Sequence, residues 1–138
     1  MKAIIGPDVY VNASVAGGSS PQRVVQRVIE EHKGEAATTQ WILDRVEAML
    51  NAHPIFVAEA IPQQMGVIRD LVRLVEDEGK HGAAEWETAL VAAAKAAGVQ
   101  RVITDHPDLV NKEHADVEFM STEAWLIEAS MPPPPPEK

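Results

Sequence analysis

Cysteine is absent from the 138-residue chain, which excludes zinc–thiolate sites, disulfide scaffolds and cysteine nucleophiles and permits a reducing compartment. Long apolar runs are also missing. No stretch approaches the about 20 apolar residues of a membrane span, and Met1-Lys2-Ala3-Ile4-Ile5 lacks the apolar core of a signal peptide. A cytoplasmic protein with no membrane partner is the expectation. The third absence is cationic excess: the formal net charge is −9, with 7 basic and 8 acidic side chains in residues 1–75 against 5 and 13 in residues 76–138. Affinity for phosphates depends on cations displacing counterions, so a stand-alone, tightly binding nucleic-acid protein is disfavoured. A metal-dependent nuclease is not, because carboxylates hold ions that restore positive potential locally. The chain has no G-x-S-x-G elbow, no G-x-G-x-x-G turn and no histidine pair at the i, i+4 spacing of a zinc helix. Gly17-Gly18-Ser19-Ser20 resembles a phosphate cradle but lacks its lysine and preceding strand.

What is present is an alternation of short apolar runs and longer amphipathic ones. Ala3-Ile4-Ile5, Val99 to Thr104 and Val117 to Met120 read as strands. Val24, Val25, Val28, Ile29 and His32 share one helical face, with Ser20 as N-cap and Pro21 at the first helical position. Asp8 to Val15 suits either a short helix or a strand, the helix being favoured. Trp41, Ile42, Val46, Met49 and Leu50 predict a helix over 38–51 capped by Thr38 or Thr39; Ile55 to Ala58 is strand or loop. Pro62 opens a helix carrying Met65, Ile68, Leu71, Val72 and Val75 and stopped by Gly79, and Glu85 to Ala97 predicts an alanine-rich helix ended by Gly98. Ser121-Thr122-Glu123 opens a last helix, and Pro132 to Pro136 is an extended tail. Together these predict an α/β sandwich around a small parallel sheet in residues 1–130, followed by a disordered Pro-rich tail at 131–138.

Two of the predicted strands run into acidic turns, Gly6-Pro7-Asp8 and Asp105-His106-Pro107-Asp108. In one parallel sheet their carboxyl ends share an edge, where open α/β sheets place ligands. Carboxylates converging there suit a hard cation such as Mg²⁺. Each has a plainer role as well: Asp8 as a helix cap, Asp105 and Asp108 as Asx-turn residues, Glu87 as an acid favoured in a helix first turn, and Asp44 as a solvated flank. Among the histidines, His106 stands out because Asp105 and Asp108 flank it.

The succession of segments resembles the PIN domain, a compact α/β nuclease fold of bacterial toxins and RNA-processing enzymes. AIIGPDVYVNASVA (3–16) is similar to the family's opening strand and helix, GSSPQRVVQRVI (18–29) to its second helix, and TQWILDRVEAML (39–50) to the segment that carries a glutamate. TALVAAAKAAGVQRVITDHPDL (88–109) resembles its alanine-rich helix, strand and Thr-x-Asp-x-x-Leu turn, and STEAWL (121–126) its closing helix. The resemblance implies a three-layer sandwich and a metal-dependent ribonuclease that cleaves single-stranded RNA. Asp8, Glu87 and Asp105, with Asp44, would hold Mg²⁺ or Mn²⁺, while Arg23, Arg27, Arg45, Arg69 and Arg73 would be candidates for RNA backbone contacts. It also implies an antitoxin or other protein partner, or a homodimer. At the family's four acidic positions this chain has Gly6 with Asp8 two residues on, Arg45 beside Asp44, Glu87, and His106 preceded by Asp105. The alternative is therefore a PIN-like domain without catalysis that acts through protein contacts, with Arg45 supplying a fixed counter-ion where the metal would sit.

Overall fold

Short apolar runs make the strands and amphipathic runs make the helices in a computed structural model that describes residues 3–15, 18–32, 36–53, 56–75, 86–110, 113–114 and 116–130. In chain order these are β1 (Ile4–Ile5), α1 (Pro7–Val15), α2 (Ser20–His32), β2 (Ala36–Thr38), α3 (Gln40–Ala52), α4 (Ile61–Leu71), β3 (Val72–Leu74), α5 (Trp86–Ala97), β4 (Arg101–Ile103), β5 (Glu113–His114), β6 (Val117–Met120) and α6 (Thr122–Ser130). A 3₁₀ turn at Ala58–Ala60 precedes α4. The main sheet has the order β1-β4-β6-β5, parallel except for the antiparallel edge strand β5, and β2 pairs with β3 in parallel. β2 lies beside β1 without a ladder between them. The result is the expected α/β sandwich. Among the described residues no helix is long and apolar enough to cross a membrane.

Burial follows the predicted stripes. Val24 and Val28 of α2, Ile42, Val46 and Leu50 of α3, and Met65 and Ile68 of α4 are all buried, while Trp41 and Met49 lie at the border of the core. α5 rests on β1, β2 and β4, and its Ala89, Ala93 and Ala94 are fully covered, so small side chains let it approach the strands closely. Gly98 then adopts a left-handed φ of 71°, and the amide of Val99 bonds back to the Ala94 carbonyl. This closes the helix as glycine alone does without strain. Phe119 of β6 and Trp125 of α6 complete the core.

The end of α4 and the cap of α2 differ from the sequence reading, which does not predict β2, β3 and β5 as strands. The helix expected to run from Pro62 through Val75 stops at Leu71, because Val72, Arg73 and Leu74 pair with Ala36, Ala37 and Thr38. Strand pairing there overrides a helical periodicity that continues through Val75. Neither β2, Ala36-Ala37-Thr38, nor β5, Glu113-His114, carries the large apolar residues that mark β1, β4 and β6. At α2 the capping hydroxyl belongs to Ser19, which accepts from the Gln22 amide at 3.4 Å, while Ser20 is already helical. For α3 the choice between two threonines resolves to Thr39, whose hydroxyl accepts from the Ile42 amide. The Pro-rich tail, Ile55, Gly79 and Glu85 lie outside the described residues.

Candidate functional site

β1, β4 and β6 end side by side, and the ladder continues one residue past each pair. The Gly6 amide donates to Ile103 O at 2.8 Å and the Thr104 amide to Met120 O at 2.8 Å. Register therefore brings Gly6, Thr104 and Ser121 to one edge, so the residues that follow them meet. The chain leaves β1 towards β2 on one side and β4 towards β6 on the other, which makes the gap between β1 and β4 the topological switch point where such sheets bind ligands.

Asp8, in the first turn of α1, is buried at this gap. Its Oδ1 accepts from the Thr104 hydroxyl at 2.8 Å, and its Oδ2 accepts from the Asp105 amide at 2.8 Å. The Thr104 oxygen in turn accepts from the His106 amide at 3.1 Å. Asp105 repeats the arrangement one strand further on. Its Oδ1 accepts from the Thr122 amide and its Oδ2 from the Thr122 hydroxyl, both at 2.8 Å, so Asp105 satisfies an orphan donor at the start of α6. Burial pushes the Asp8 carboxyl above the ordinary carboxylate range; the hydrogen bonds from Thr104 and Asp105 oppose this, and the Asp105 charge adds to it.

Gly6 is what makes room. A Cβ at that position would lie 2.8 Å from Asp8 Oδ1 and 3.0 Å from Ile103 O. The volume a side chain would enter from the end of β1 is taken by the Asp8 carboxylate and the β4 backbone.

The remaining candidates lie on the turn after Asp105 and in α5 and α3. His106 is half-buried, and its Nδ1 accepts from the Asp108 amide at 3.3 Å, which puts the neutral ring's proton on Nε2. Its ring lies 5.0 Å from that of Trp86, and Trp86 meets Trp41 edge-on at 6.0 Å. These contacts bring the first turns of α5 and α3 to the same edge, with Glu87 half-buried beside Trp86. Asp44 is exposed on α3 and accepts from the Gln40 side chain at 2.7 Å. Asp8 and Asp105 are thus brought together, Glu87 lies half-buried in the first turn of α5, and Asp44 faces solvent. Among the described residues no three His, Asp or Glu side chains gather as a metal-holding group.

Thr104 and Thr122 are the partners of Asp8 and Asp105 that residue-type reasoning passed over, and Gly6 is the glycine that gives the Asp8 carboxylate its room. The available signal was positional: each stands immediately after a strand, or two residues beyond its end, at the same sheet edge. Comparison with known protein families, curated proteins and solved structures finds no match for this chain.

Proposed function

We propose that this chain is a PIN-like domain that acts through contacts with another protein rather than through metal-dependent cleavage of RNA. One observation carries the reading: all four oxygens of the converging carboxylates accept hydrogen bonds from donors of the chain itself, Thr104, Asp105 and Thr122. Each bond engages one lone pair of its oxygen and fixes the two carboxylates to donors of the chain itself. Among the described residues no third acidic side chain gathers with the pair, so a cation there would take its remaining ligands from water. Gly6 contributes no carboxylate at the end of β1, and a Cβ there would lie 2.8 Å from Asp8 Oδ1. The net charge of −9 points the same way, favouring a basic protein surface over a polyanion as partner.

The ribonuclease reading has one observation in its favour, the convergence of Asp8 and Asp105 at the switch point. An unstructured single-stranded RNA incubated with the protein and Mn²⁺ or Mg²⁺ separates the two. The expected outcome is no cleavage beyond that of an Asp8→Ala, Asp105→Ala control. Metal-dependent cleavage that disappears in the control would reinstate the nuclease.

A further inference from the structure

Asp105 stands in two sets of bonds at once: its amide donates to Asp8 at the head of α1, and its carboxylate accepts both donors of Thr122 at the head of α6. We infer that Asp8 is a positioning residue for the start of α6, acting through Asp105, so that the two carboxylates form an internal strap coupling the ends of β1, β4 and β6. The coupling goes beyond the functional reading above, because it runs through the chain's own hydrogen bonds whether or not a cation binds at the edge.

Orientation carries the coupling. The Thr104–His106 backbone is fixed by the Thr104 amide on Met120 O, by the Thr104 hydroxyl and the Asp105 amide on Asp8, and by the His106 amide on the Thr104 hydroxyl. A carboxylate that must meet an amide and a hydroxyl of one residue, both at 2.8 Å, needs direction as well as reach, and that direction is set by its own backbone. Asp8 provides two of the bonds holding that backbone. Without them the turn regains conformational freedom and the Asp105 carboxylate no longer meets both Thr122 donors at little entropic cost. Ser121 caps the Ala124 amide independently at 3.1 Å, so the Thr122 amide is the one that reports on the strap.

Native-state hydrogen exchange on the full chain tests this. Asp8→Asn replaces an acceptor oxygen by an N–H₂ group, which cannot accept from both Thr104 and Asp105. The Thr122 amide is expected to exchange about tenfold faster in this variant, the size of a coupling of about 1.4 kcal/mol, while the Val46 amide in α3 keeps its rate. Thr104→Val removes only the hydroxyl donor and is expected to act in the same direction, and Thr104→Ser, which keeps it, should restore slow exchange. Should Asp8→Asn fail to fold, the two Thr104 variants decide alone. Faster exchange confined to Asp105, with the Thr122 amide unchanged, would overturn the inference; so would equal exchange of Thr122 in the Val and Ser variants.

Discussion

Asp8 places a carboxylate where burial opposes its charge and hydrogen bonds from Thr104, Asp105 and its own amide favour it, and burial is the larger effect. A carboxyl raised in this way holds its proton more tightly folded than unfolded. Its contribution to stability is therefore complete below the unfolded-state pKa and is lost as the pH rises through the folded-state one. The amide side chain of the Asp8→Asn variant does not titrate. Urea unfolding of the wild type and this variant between about pH 4 and about pH 7 is expected to show the wild-type advantage shrinking as pH rises. An advantage that grows over that interval would mean that hydrogen bonding to the charged form outweighs burial. The sequence made Asp8 and Asp105 legible as residues of one edge, since both follow apolar runs of strand length. Their partners were less legible: Asp105 and Thr122 are 17 positions apart, and a threonine at a helix start has an ordinary capping explanation.

At the scale of elements, α6 begins where Asp105 accepts its first amide and carries the fully buried Trp125 one turn further on. Asp105→Ala removes the acceptor from both donors of Thr122 and is expected to destabilise the protein by about 1–2 kcal/mol, read as a lower urea midpoint at unchanged slope. An unchanged midpoint would place the start of α6 under the control of Ser121 alone. The helices with strong periodicity, α2, α3 and α5, could be read from sequence because one apolar face recurs over three turns or more. β2 and β3 could not, because Ala36-Ala37-Thr38 has no large apolar residue to mark it, and Val72 continues the apolar spacing of α4 until pairing with Ala36 decides its conformation.

For the molecule as a whole, charge and topology pull in different directions. The strand order puts a switch point between β1 and β4, where sheets of this kind bind ligands, while the acids found there are tied to hydroxyl and amide donors from the turn after β4 and the start of α6. Without a cation, an acidic edge on a chain of net charge −9 repels polyanions and attracts basic protein surfaces. The resemblance to PIN domains read from segment order stays an expectation, whereas the α/β sandwich it implied is what the chain forms. Thermal unfolding in EDTA and in about 1 mM Mn²⁺, for the wild type beside Asp8→Ala, tests the central claim most directly, because a cation bound only by the folded state raises its melting temperature. Superimposable curves for the wild type in the two conditions are the predicted result; a wild-type rise of several degrees in Mn²⁺ that vanishes in Asp8→Ala would contradict the account and return the acidic edge to metal chemistry.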